Sequence, residues 1–346
     1  MTARSPLLDL PGAVAAEGVD AGVAAHYGDP FGEQRELTHG AGLVDRGNRG
    51  VIEVAGADRL SWLHSLTTQH LTALAPWRGT ESLVLSPHGH LEHHLIVADD
   101  GSSTWLDVEP GTSAALTAFL ESMRFMLRVE PNDASGDWAV LSLAGSAIRR
   151  VLAATGIEPP AGSYDVCPLP AGGLVRGMPA GPRTSPGGVA VDLIVPRSSA
   201  GSVAERLLAA GARPAGMSAY EALRVEARRP RLGQETDHRT IVQEGGWVPT
   251  AVHLDKGCYR GQETVARVHN LGRPPRRLVM LHLDGAAETL PARGAAVSLG
   301  ERPVGFVGTA VRHHELGPIA LALVKRNTPD DAPLRIDDVD ASIDAA

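Results

Sequence analysis

Cys258 is one of only two cysteines in the chain and stands in the run Leu254-Asp-Lys-Gly-Cys-Tyr-Arg-Gly-Gln-Glu263. Gly257 and Gly261 permit tight turns, which puts the thiol on a loop rather than inside an element. Lys256, Arg260 and Arg267 supply cations close by in sequence, and positive charge favours the thiolate, the reactive form. Lysine is itself rare: among 32 basic residues only Lys256 and Lys325 are lysines. The run leaves two readings open, a reactive thiol or an inert buried cysteine beside solvent-facing bases. Cys167, followed by Pro168, has no such company and reads as incidental. A zinc or iron–sulfur site made wholly of cysteine is excluded, since it needs about four thiolates.

A second polar cluster is Pro87-His-Gly-His-Leu-Glu-His-His94. Continued along a strand, period two would put His88, His90, Glu92 and His94 on one face. Residues in such a row lie about 7 Å apart, so they converge on one metal ion only if Gly89 turns the chain. A solvated polar face is the simpler reading. No P-loop, G-x-G-x-x-G after a strand, G-x-S-x-G or H-E-x-x-H is present, which removes the usual support for phosphate-cradling, hydrolase and zincin chemistry.

The elements that must position these residues are short and of both kinds. Strands are expected at 51–54, 83–85, 91–97, 138–143 and 189–195. Helices are expected through Leu60, Leu63 and Leu66, and from Ser113 through Leu116, Phe119, Leu120 and Met123. The Pro- and Gly-rich stretch 144–188 reads as a long loop or an internal boundary. Capping boxes Ser202-Val-Ala-Glu205 and Ser218-Ala-Tyr-Glu221 predict two further helices, the second running to Arg229 ahead of Pro230. On that helix Glu226 falls on the stripe of Ala219, Ala222 and Leu223, either at its solvent edge or turned into a cleft. After Arg273-Pro-Pro275 the texture becomes short strands, at 277–283, 296–299, 304–311 and 319–324, with 334–336 and 341–343 closing the set. The organisation expected is α+β: a loose arm over 1–25, a body over 26–272 with a subdomain boundary within 144–188, and a β-barrel over 276–344.

The chain has 346 residues, 43 % of them hydrophobic, with 32 Lys+Arg against 40 Asp+Glu and a net charge of −8. The excess acid argues against nucleic-acid binding through bulk charge. No apolar run approaches the roughly 18 residues of a membrane span. Asp9, Pro11, Glu17 and Asp20 interrupt any signal-like segment, so the cytoplasm, with reduced thiols, is the expected compartment.

The run from Lys256 to Arg267 resembles the signature of the YgfZ family, folate-binding relatives of the glycine-cleavage T-protein. His26-Tyr-Gly-Asp-Pro-Phe-Gly32, Leu43-Val-Asp-Arg46 and Val54-Ala-Gly-Ala-Asp58 resemble the T-protein's N-terminal segment. Glu221-Ala-Leu-Arg-Val-Glu-Ala227, Arg229-Pro-Arg-Leu-Gly233 and Gln243-Glu244 resemble the stretch before the signature. The resemblance covers nearly the whole chain and implies a ring of domains around a central folate channel, closed by the C-terminal barrel. It implies tetrahydrofolate as cofactor, with Glu226 gripping the pterin and His93, Arg260, Gln262, Glu263 and Arg267 around it. Cys258, with Lys256 beside it, would be the chemical centre. The T-protein's Asp pair, one of which is central to aminomethyl transfer, becomes His93 and His94 here, so the negative charge beside the folate is expected to be lost. The family implies a role in building or repairing iron–sulfur clusters of client proteins, tRNA-modifying enzymes among them. Tetrahydrofolate-dependent aminomethyl or methyl transfer is the alternative, with His93 or Glu92 in place of the Asp.

Overall fold

The computed structural model describes residues 4–170, 172–179, 189–286 and 288–344. Two sheets face one another. The five-stranded sheet runs in the spatial order Arg78–Leu85, Leu91–Asp99, Ser103–Val108, Gly50–Ala55, Glu130–Asp133. The six-stranded sheet runs Val166–Pro168, Leu174–Met178, Val189–Pro196, Trp138–Gly145, Gly42–Asp45, Arg213–Ala215. All its neighbours are antiparallel except the last pair.

Period two decides what lies where. In the first sheet Ile52 and Val54 pack beneath the helices Arg59–Leu66 and Ser113–Ser122, while Val51 points at the other sheet. In the second sheet Leu141 and Leu143 pack against the helices Ile148–Ala154 and Ala200–Ala209, while Val140 and Ile194 meet Val51 and Trp105 between the sheets. One hydrophobic set per sheet is thus committed to its helices, and the inner faces are only partly apolar.

The expected barrel forms. Arg276–Leu283, Gly317–Lys325, Arg302–His313, Ala296–Leu299, Leu334–Ile336 and Val339–Ile343 close on themselves, the last strand pairing with the first. The helix Met217–Glu226 packs on it through Ala222 and Val225 against Met280, Val311, Ile319 and Leu321. Among the described residues no helix is long and apolar enough to cross a membrane.

Three expectations need correction. The N-terminal arm is packed rather than loose in its described part. Leu7 is buried in the Pro6–Asp9 turn, Ser5 hydrogen-bonds Asp45, and Val14–Ala15 pairs with Ala24–His26. The stretch 144–188 is no simple boundary. It contains a helix and two strands that extend the six-stranded sheet, and its residues 180–188 lie outside those described. The chain enters that sheet at Gly42–Asp45, leaves to build the five-stranded sheet, and returns at Trp138, so no single cut separates the two. Neither capping box forms. The helices start earlier, at Ala200 and Met217, Ser202 bonds the Ser199 carbonyl, and Glu221 is drawn into a buried ion network.

Candidate functional site

Between the inner faces of the two sheets and the helix Met217–Glu226 lies a cavity of about 290 Å³ bordered by His94, Tyr164, Tyr220, Arg229 and Trp247. A smaller space of about 100 Å³ continues past Tyr220 and Arg224 and is bordered by Leu223 and Glu226. The stripe position of Glu226 therefore faces this cleft, and its carboxylate is only 9 % exposed. Of the two sequence readings of Glu226, the cleft is the one the fold adopts.

The cavity floor is a buried ion network. Arg176, fully buried, reaches Asp107 of the opposite sheet at 2.8 Å and Asp192 at 3.0 Å. Arg49 pairs with Asp107 and Glu109, and Arg231 joins Glu109 at 2.9 Å to Glu221 at 3.0 Å and Asp20 at 3.0 Å. Arg224 carries the chain on to Glu221, Glu235 and Thr309 of the barrel. Burial alone would raise the Glu109 carboxyl, but the charges of Arg49 and Arg231 outweigh it and hold it far below its usual range. Both large sheets and the barrel share this network, which fixes the cavity walls. Arg46 stacks 4.6 Å over the Tyr220 ring, adding a rigid aromatic wall.

The histidine pair splits across the sheet. His93 lies opposite Val84 and shares its face with the apolar core beneath the helices. It is half-buried, its Nδ1 has no hydrogen-bond partner, and burial pushes its pKa down to about 4. His94 faces the cavity instead, so the cavity position expected for His93 belongs to His94. Its Nε2 stands 2.5 Å from Glu81 Oε1, and its ring is 5.8 Å from Trp247. Burial would raise the Glu81 carboxyl, yet the bond to His94 and the His94 charge leave it below its usual range. The anionic group thought lost with the Asp pair is thus present, supplied by the neighbouring strand. His88 and His90 lie before the strand, which starts at Leu91 after the Gly89 turn at φ +79°, so the four-residue row does not form. Among the described residues no group of three His, Cys, Asp or Glu side chains stands as a metal site.

The signature loop docks on that same Gly89 turn. A Cβ on Gly261 (φ +80°) would stand 2.8 Å from Gly89 Cα, and one on Gly89 would stand 2.6 Å from Thr264. Thr264 Oγ1 also bonds the His88 carbonyl at 2.9 Å. Lys256 is buried, and its ammonium donates to the carbonyls of His64, Thr67 (2.6 Å) and Gln69 (3.0 Å) at the end of the helix Arg59–Leu66. Three donors meet three carbonyls, so Lys256 tethers the loop. With its three N–H groups on carbonyls, the ammonium has no N–H left for a hydrogen bond to Cys258, so its expected part at the thiolate reduces to its charge. Burial lowers its pKa to about 8. Cys258 is an exposed free thiol, and Cys167 is free as well.

None of Arg260, Gln262, Glu263 and Arg267, expected around the cofactor, borders either cavity. Arg260 pairs with Glu92 at 3.1 Å and lies 5.3 Å over the Phe119 ring, and Gln262 Nε2 bonds the Lys256 carbonyl at 3.2 Å. Glu263 and Arg267 are exposed on the helix Gln262–Leu271. They belong to the outer face that carries Cys258.

A family model described as the GCVT N-terminal domain matches residues 26–165, and one described as the CAF17 C-terminal beta-barrel domain matches residues 276–345. A chloroplastic protein of Arabidopsis thaliana with a transferase name is 29 % identical over 283 residues, covering 77 % of this chain and 61 % of that protein. An aminomethyltransferase of Methylococcus capsulatus is 30 % identical over 266 residues, 75 % of this chain and 71 % of that one. The chain belongs to the YgfZ family of T-protein relatives. The aminomethyltransferase of Geobacillus kaustophilus is 28 % identical and matches 94 % of this chain and 91 % of its own length. The crystal structure of glycine cleavage system aminomethyltransferase T from Bartonella henselae superposes with a TM-score of 0.84 over 98 % of this chain and 95 % of that one, at 18 % identity, a likeness of fold. This YgfZ relative therefore combines a T-protein-like α+β body with the CAF17-type barrel.

Sequence reasoning missed Glu81, Arg176 and Trp247. Glu81 meets His94 only through cross-strand register, and Arg176 sits in the Pro- and Gly-rich stretch that read as loop. Trp247 is carried by a turn with no periodic signal.

Proposed function

We propose that this protein is a folate-binding accessory factor for iron–sulfur cluster assembly or repair in client proteins, tRNA-modifying enzymes included, acting in the cytoplasm without direct nucleic-acid or membrane contact. The observation that carries the reading is the separation of two features. One is a cleft between the sheets with a buried carboxylate at its end, and the other is an exposed thiol on a loop outside it.

The cavity fits tetrahydrofolate. Its size with the adjoining space is that of a small-ligand site, with aromatic walls and a few polar groups. Glu226 would accept paired N–H donors from an aminopyrimidinone edge, Tyr220 and Trp247 would border the bound molecule, and Arg228 and Arg229 would receive its carboxylates. Bound folate supplies a one-carbon carrier and a reductant. Cys258 can donate one ligand to a cluster, whose other ligands the client supplies, or its thiolate can attack a partner's disulfide, breaking that S–S bond to leave a mixed disulfide on Cys258 and a free partner thiolate. Titration of purified protein with tetrahydrofolate under anaerobic conditions tests the folate part: saturable binding is expected, and its absence would remove the channel from the function.

A second reading, tetrahydrofolate-dependent aminomethyl or methyl transfer, is favoured by the His94–Glu81 pair inside the cavity. It restores a carboxylate and a proton-carrying imidazole where the T-protein has its Asp pair. For the accessory role, methylated amines with tetrahydrofolate are expected to give no turnover. Turnover abolished by Glu81→Gln and indifferent to Cys258→Ser would establish the second reading instead.

A further inference from the structure

We propose that His313, on the barrel, is a positioning residue for Glu226 and so makes the barrel part of the folate site. The inference rests on the reading that Glu226 holds folate.

Both side chains are buried, His313 at 1 % and Glu226 at 9 % exposure, and His313 Nε2 stands 3.4 Å from Glu226 Oε2. The other ring nitrogen fixes which one carries the proton. His313 Nδ1 accepts the backbone N–H of Glu315 at 3.2 Å and of Leu316 at 3.1 Å. A nitrogen receiving two donors holds no hydrogen, so the neutral ring carries its proton on Nε2, which faces the carboxylate. The imidazole of the His313–Gly317 turn of the barrel thereby faces the C-terminal end of the helix Met217–Glu226, its buried Nε2 making no other hydrogen bond among the described residues.

The turn is itself held from behind. Gln34 donates through Nε2 to the Arg312 carbonyl at 3.0 Å, and its Oε1 accepts the His314 backbone N–H at 2.8 Å. His313 therefore sits on a braced hairpin and cannot drift from Glu226 without breaking bonds on two sides. The 3.4 Å separation lies just beyond the usual N–H···O range. Such contacts commonly tighten when a ligand draws the carboxylate into line. A donor on one carboxylate oxygen orients the whole group, fixing its plane relative to the pterin edge it would meet.

Two substitutions separate the ring's two roles. In His313→Asn the amide oxygen replaces Nδ1 as acceptor for the turn but nothing reaches Glu226. In His313→Gln the longer amide can donate toward Glu226. Tetrahydrofolate affinity and thermal stability are measured for wild type, both variants, Glu226→Gln, and the Glu226→Gln/His313→Asn double variant. The expected results are about a tenfold affinity loss for His313→Asn, recovery to within about threefold for His313→Gln, and no further loss when His313→Asn is added to Glu226→Gln. Wild-type affinity in His313→Asn, or an equal loss in the Glu226→Gln background, would overturn the positioning role. Absence of tetrahydrofolate binding by the wild type would overturn the folate reading itself and this inference with it.

Discussion

Replacing Arg176 with Ala is expected to destabilise the protein by about 3–5 kcal/mol. Arg176 is 0 % exposed, and its guanidinium joins Asp192 of its own sheet to Asp107 of the other, while also donating to the Ile96 carbonyl at 3.1 Å. Removing it leaves two buried carboxylates facing one another across the cavity floor. Arg46 at 3.5 Å from Asp192 and Arg49 beside Asp107 soften the loss without cancelling it. Chemical denaturation should show a lowered midpoint, with the melting temperature down by roughly 5–10 °C. A change below about 1 kcal/mol would mean that the network does not hold the sheets together. Since Asp107, Asp192 and Glu109 border the cavity, folate affinity should fall in parallel.

The second large effect is on binding. Glu226→Gln keeps the shape of the side chain, yet it replaces a two-oxygen acceptor by one oxygen and one N–H₂ that would meet the pterin donors head-on. Charge-assisted hydrogen bonds are each worth about 1.5–3 kcal/mol in a buried site. The affinity for tetrahydrofolate is therefore expected to drop on the order of 100-fold, or ~2.7 kcal/mol. The quenching of Trp247, which borders the cavity, or calorimetry under anaerobic conditions would read it. Stability should change little, because Glu226→Gln keeps the side chain's shape and the carboxylate stands outside the Arg176–Arg231 ion network. An affinity within threefold of wild type would remove Glu226 from the site.

Much of the fold was legible because it rests on local signals. The strand at 50–55, the helix at 113–122 and the barrel strands all announce themselves by alternation or by i, i+3, i+4 spacing. The Glu226 stripe was legible too, but its direction was not: whether an acid on a helix face meets solvent or a cleft depends on what the barrel and sheets place opposite. The split of His93 from His94 follows from period two once the register with Val84 is known, and register is a property of two strands, not one. Glu81 could not be anticipated for the same reason.

Lys256 shows the opposite error. Its rarity and its place near Cys258 drew attention correctly, whereas its ammonium is spent on three carbonyls that anchor the loop. Arg260, Gln262, Glu263 and Arg267 were grouped with the cofactor because they share the signature. Gly89 and Gly261 instead let the signature's backbone dock against a turn, with Glu263 and Arg267 exposed like Cys258 and Gln262 bonded within the loop. A shared motif carries two structural tasks here, loop anchoring and thiol presentation, away from the two cavities.

The most direct test is complementation with Cys258→Ser in cells lacking the native protein, measured by the activity of iron–sulfur client enzymes, with tetrahydrofolate binding of the purified variant measured beside it. The thiol is exposed and lies outside the cavity, so the variant should fold and bind folate as wild type does while client activity falls to the level of cells without the protein. Full restoration of client activity by Cys258→Ser would contradict the assignment of thiol chemistry to this loop.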